Sequence, residues 1–139
     1  MSGYAARGCV STAGAFDVEF LAARTAVGQV RTLVGLRLAS WGLSRSCDDV
    51  KLIASELVTN AVVHPDEGEG GQIRVRFTRE ACGVLLEVWD SSDSMPVRKE
   101  DAEGPGGRGL AIVEAMASEC GVWRTEPHGK WVWARYRVV

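Results

Sequence analysis

Apolar and polar side chains alternate strictly along residues 73–78, with Ile73, Val75 and Phe77 set against Arg74, Arg76 and Thr78. A period of two sends successive side chains to opposite faces, so this stretch predicts a half-buried strand. A turn at Ala81–Gly83 links it, hairpin fashion, to the apolar run that ends at Asp90. Ala15 to Phe20 alternates weakly and predicts a first strand. From about Ala22 to Ala39 the period lengthens: Val27, Val30, Val34 and Leu38 recur at helical spacing, with Arg24, Arg31 and Arg37 elsewhere. Gly42 stops this helix. Ser46 with Asp49 reads as a capping pair opening a second helix, and Pro65 ends it. Asp66 to Gly71 is an acidic, glycine-rich loop. A third helix is predicted over Leu110–Ser118, then strands over Gly121–Thr125 and Lys130–Val138, joined across Pro127-His128-Gly129. Strands come in runs rather than in strict β-α-β alternation. The pattern therefore predicts an α/β (α+β) two-layer sandwich, with a mixed sheet and the helices on one face.

The second helix carries the densest chemistry. Glu56, Asn60 and His64 recur every fourth residue, and each such step rotates the side chain by only about 40°. The three polar groups line one stripe while Leu57, Val58, Ala61 and Val62 cover much of the rest. A buried polar group costs roughly 1–3 kcal/mol unless it is satisfied. Such a stripe needs a ligand, an ion or a partner, unless it is simply the solvated edge of an ordinary helix.

Gly104-Pro105-Gly106-Gly107-Arg108-Gly109 runs directly into the apolar helix that starts at Leu110. Glycines let backbone N–H groups approach an anion, and the first helical turn adds a partial positive charge. Phosphate is the natural guest, with Arg108 as a forked donor. No Gly-Lys-Ser/Thr follows, so this is not a P-loop, and a flexible connector has the same composition. Asp90 closes the preceding apolar run. It can accept a hydrogen bond from an exocyclic amine such as that of adenine, or merely start the turn at Ser91-Ser92-Asp93-Ser94.

Taken in order, these features resemble the GHKL ATPase superfamily with its Bergerat nucleotide-binding fold. Within it the chain is similar to the small single-domain branch of anti-sigma-factor serine/threonine kinases. The resemblance runs from about Phe16 to the C-terminus. Glu56 to His64 matches the N box, Asp90 to Pro96 sits at the first glycine box, and Gly104 to Leu110 sits at the second. Gly129 to Ala134 resembles the last strand.

The resemblance implies a mostly antiparallel sheet, ATP and Mg²⁺ as cofactors, and a set of roles. Glu56 would be the catalytic residue that orients or deprotonates a hydroxyl nucleophile. Asn60 would be the metal ligand linking Mg²⁺ to the triphosphate. Asp90 would hold the adenine amine, and Gly104, Gly106, Gly107, Arg108, Gly109 and Leu110 would cradle phosphates. His64 either supports the nucleotide site from behind or satisfies a local turn. Two departures stand out. Ser92 occupies a position where the family has glycine, so a Cβ is expected to crowd the base. The Ser94–Glu103 segment is short for an ATP lid.

Composition narrows the rest. The 139 residues suffice for one domain with a real core. A net charge of −2 leaves no electrostatic footprint for nucleic acid. No apolar stretch approaches the ~18 residues that a membrane span needs. Residues 1–15 read as a disordered tail ahead of a domain at 16–139. Cys9, Cys47, Cys82 and Cys120 form no Cys-x-x-Cys pair, which argues against zinc and for free thiols in a cytoplasmic setting.

The resemblance therefore implies an ATP-binding anti-sigma regulatory factor. It would bind a sigma factor and phosphorylate a STAS-domain antagonist on serine or threonine. The alternative is a non-catalytic nucleotide-binding module of the same fold. A histidine-kinase catalytic half is disfavoured, because no helical hairpin with a phosphoacceptor histidine precedes the domain. A homodimer is also implied, and Leu33, Val34, Leu36 and Leu38 form an apolar set that looks wider than one core-facing stripe needs.

Overall fold

The structure, a computed structural model, describes residues 15–62, 71–92 and 109–138. The elements are β1 (Ala15–Leu21), α1 (Thr25–Ser40), a 3₁₀ turn at Ser44–Ser46, α2 (Cys47–Val62), β2 (Gln72–Glu80), β3 (Gly83–Asp90), α3 (Gly109–Met116), β4 (Glu119–Arg124) and β5 (Lys130–Arg137). The strands form one sheet in the order β1-β2-β3-β5-β4. Every pairing is antiparallel, so the expected mixed sheet has no parallel pair among the described residues.

Strand alternation decides what each face of the sheet does. Ile73, Val75 and Phe77 of β2 join Val84, Leu86 and Val88 of β3 and Val132 and Ala134 of β5 in one core. Ala26, Val30, Val34 and Leu38 of α1 close that core, with Val50, Ile53, Leu57 and Val58 of α2 and Val113 of α3. The helices thus share one face, as the pattern predicts. Full burial of each large apolar side chain contributes about 1.5–3 kcal/mol. Phe77 sits near the centre, with its ring 5.6 Å from Phe16 and 5.2 Å from Trp41.

The stop signals are visible in the backbone. Gly42 has φ +76°, and its N–H bonds to the Ala39 carbonyl while Leu43 N–H reaches back to Leu38. This Schellman arrangement ends α1 where a side chain would be strained. Helix α2 begins directly after Ser46, and Asp49 accepts a 2.6 Å hydrogen bond from the Tyr136 hydroxyl, tying that helix start to the last strand. Ala81 and Cys82 alone form the β2–β3 turn. Next to it, a Cβ on Gly83 would lie 2.0 Å from the Tyr136 carbonyl oxygen, so only glycine fits that approach.

The apolar breadth of α1 has a different explanation from the one its spacing suggested. Val34 and Leu38 are fully buried in this chain's own core, and Leu33 packs against it. Leu36 is the member of the set left exposed. Helix α2, packed beside α1 over the same face of the sheet, covers much of the width that looked like surplus.

Candidate functional site

Helix α2 packs on α1, α3, β3 and β5, so it is enclosed along most of its length. Within its second half Leu57, Val58 and Ala61 are buried, and the polar positions are held among them. Asn60 is only 9% exposed, and its carboxamide makes no side-chain hydrogen bond among the described residues. Glu56, one turn earlier, is half-buried, and burial pushes its carboxyl above the usual carboxylate range. A carboxyl of raised pKa beside an unengaged buried amide is a disposition suited to proton transfer next to a ligand. Asn60 is thus more enclosed than the solvated edge of an ordinary helix would be. His64, the third member, lies outside the described residues.

At the end of β3, Asp90 is buried and engaged. Its Oδ1 accepts the Ser92 backbone N–H at 2.9 Å and the Lys130 ammonium at 2.8 Å. Lys130 Nζ also donates to the Ser92 carbonyl at 3.2 Å. Asp90 therefore does start a turn, by bonding the N–H two residues on, and at the same time it keeps a charged carboxylate on the helix-facing side of the sheet. Ser92 is buried too. No non-glycine residue among the described ones has a positive φ, so the turn at Ser92 does not demand the conformational freedom of glycine.

Register explains why Lys130 is here. Asp90 and Lys130 are direct cross-strand partners at the junction of β3 and β5. Gly129, at φ +90°, lets the incoming chain pass so close that a Cβ there would lie 2.6 Å from the Trp89 ring and 2.7 Å from the Asp90 carbonyl oxygen. Lys130 was not among the residues singled out from the sequence. Its signal was its phase: it shares parity with the core-facing Val132 and Ala134, and a charge at that parity must find a partner.

Helix α3 opens at Gly109–Leu110, in contact with α2. Gly104, Gly106, Gly107 and Arg108 lie outside the described residues. The fold thus places Glu56 and Asn60 on α2, Asp90 at the end of β3, and Gly109 and Leu110 at the start of α3 on one side of the sheet.

The opposite face of the sheet has its own character. One cross-strand row runs Glu19, Arg74, Trp89, Trp131 and Trp123, and the next runs Asp17, Arg76, Glu87, Trp133 and Gly121. Arg76 lies 4.4 Å over the Trp131 ring, and Trp89 Nε1 donates to Thr125 Oγ1 at 3.0 Å. A cavity of about 450 Å³ opens between Glu19, Gln72, Arg74, Arg76, Trp89 and Trp131. None of the described residues expected to bind nucleotide lines it.

A five-stranded antiparallel sheet covered on one face by helices makes an α+β two-layer fold. Residues 20–136 match the histidine kinase-like ATPase domain, and the chain belongs to that family. Among solved structures it is similar to the RsbU and RsbW domains of Rv1364c from Mycobacterium tuberculosis, with 24% identity and a TM-score of 0.69. That match covers 89% of this chain and 32% of the other, which is a much longer protein. No curated protein matches. No helix among the described residues is long and apolar enough to cross a membrane.

Proposed function

We propose that this chain is an ATP-dependent protein serine/threonine kinase of the anti-sigma type, acting in the cytoplasm. It would bind a sigma factor and transfer phosphate to a STAS-domain antagonist. The observation that carries the reading is Glu56 one turn before the buried, unengaged Asn60, on a helix packed against both β3 and α3. Family membership supports ATP as the ligand.

The donor set fits Mg²⁺ in its usual mode. Magnesium takes oxygen ligands, keeps several waters and is commonly completed by substrate phosphates. No cluster of three metal-ligating side chains exists among the described residues, so Asn60 would act with phosphate oxygens rather than within an all-protein cage. The bound ion would neutralise phosphate charge. Glu56 would orient the incoming hydroxyl and accept its proton, a role worth roughly 10²–10⁴-fold in rate. Asp90 would receive the base amine, and Gly109 with Leu110 would begin the phosphate cradle that Gly104, Gly106, Gly107 and Arg108 continue.

Incubation with radiolabelled ATP, Mg²⁺ and candidate antagonists tests this directly. Label on a serine or threonine of the antagonist is the expected result. Tight ATP binding with no label on any antagonist would support the second reading, a non-catalytic nucleotide-binding module, which Ser92 in place of the box glycine favours. The homodimer is carried as part of the proposal. A monomer mass by light scattering at micromolar concentration would remove it.

A further inference from the structure

A lysine that is 1% exposed is unusual, because an ammonium group is strongly hydrated and is seldom buried without full compensation. An ammonium has three N–H donors. Lys130 gives one to Asp90 Oδ1 at 2.8 Å and one to the Ser92 carbonyl at 3.2 Å. The third finds no partner among the described residues. A buried cation with a donor to spare, fixed beside a buried carboxylate, presents a ligand with an acceptor and a donor side by side. The arrangement is held firmly. Asp90 and Lys130 are register partners, and Gly129 is pressed against the Asp90 backbone, so Lys130 has little freedom to leave.

We propose that Lys130 is a base-reading residue: its spare N–H donates to a ring nitrogen of the purine while Asp90 accepts the neighbouring amine. This rests on the nucleotide-binding reading above and sharpens it. The pair selects a base that shows an exocyclic N–H next to a ring acceptor, which is the 6-amino/N1 edge of adenine. As a stability device alone the pair is weak, since buried ion pairs can often be replaced by apolar residues at little cost. As a reader it has a definite use, because a site whose buried polar groups match a ligand rejects analogues that leave those groups unpaired.

The test pairs a ligand change with a protein change. Calorimetry would compare Mg·ATP with Mg·1-deaza-ATP, in which N1 becomes C–H and the 6-amine stays. The wild type is expected to bind the deaza analogue about ten- to a hundredfold more weakly, the worth of one hydrogen bond to a charged group. Lys130→Met is expected to bind the two alike. A merely structural lysine would weaken both ligands and leave their ratio unchanged, and that outcome would overturn the proposal. Equal affinities in a wild type that binds ATP well would also overturn it while leaving the nucleotide site intact. Failure of the wild type to bind either ligand would overturn the functional reading, and this inference with it. If Lys130→Met does not fold, Lys130→Gln serves, keeping a neutral donor toward Asp90. Its discrimination should fall below about tenfold if Lys130 reads N1, and an undiminished ratio would count against it.

Discussion

Two carboxylates on the same sheet are held in opposite ways. On the outer face Asp17 is shared by Arg74 and Arg76, at 2.7 and 3.0 Å, and its side chain stays 36% exposed. On the helix-facing side Asp90 and Lys130 meet at 2.8 Å with only 6% and 2% of their side chains exposed. Exposed pairs gain little, typically 0–1 kcal/mol, because water screens them and long side chains lose freedom. A buried pair gains little when whole but leaves an uncompensated charge when halved. The outer cluster is therefore replaceable, whereas the inner one stands or falls as a unit. One phase of the strand alternation yields a layer of tryptophans and guanidinium groups. The other yields a core with one polar corner, where Asp90 and Lys130 meet.

The contrast breaks most clearly under single substitutions. Lys130→Ala should destabilise the fold by about 3–5 kcal/mol, since the buried Asp90 loses its ammonium partner. Arg74→Ala should cost under about 1 kcal/mol. Urea unfolding of both variants decides: equal losses would erase the distinction between the two faces.

A second, smaller stability effect carries a larger functional one. Glu56→Gln should lower phosphate transfer by roughly 10²–10⁴-fold while ATP binding persists. Its stability should move the other way. Burial raises the Glu56 pKa in the folded state, so the folded protein binds that proton more tightly than the unfolded chain. Stability therefore falls as pH rises from the ordinary value of 4.5 through the folded one, and above both the penalty is constant. The glutamine variant should be the more stable at neutral pH, with the advantage vanishing below pH 4.5. Thermal melts across pH check the sign, and a variant less stable at neutral pH would contradict it.

The smallest effect belongs to Asp17. Burial alone would raise its pKa, but hydrogen bonds and charge from Arg74 and Arg76 outweigh that and bring it below the ordinary 3.8. Its contribution is present above 3.8 and is lost as pH falls through the folded value. Asp17→Asn should thus be slightly less stable than wild type at neutral pH, by under about 1 kcal/mol, and the gap should close in acid. A gap that widens on acidification would mean that the arginines do not lower this pKa.

Much of the molecule is legible in the chain because it rests on local periodicity. The two-residue alternation of β2 and the four-residue recurrence of Glu56 and Asn60 translate directly into faces. So does the placement of Asp90 at the end of its strand. What does not translate is cross-strand register. Lys130 stands 40 residues from Asp90, and nothing local to either predicts that β3 and β5 would set them opposite each other. The same limit applies to α1. Its leucines and valines at 33, 34, 36 and 38 look like an excess until α2 and the sheet are seen to enclose all but Leu36. At Ser92 the expected conflict is the crowding of a base by its Cβ; the backbone itself needs no positive φ there.

The central claim is that the polar corner on the helix-facing side binds an adenine nucleotide through Asp90. Isothermal titration of Mg·ATP into the wild type and into Asp90→Asn tests it most directly, with circular dichroism confirming that the variant is folded. Binding by the wild type and at least about a tenfold loss in the variant are expected, the scale of a hydrogen bond to a charged group. Equal affinity in the two folded proteins would contradict it.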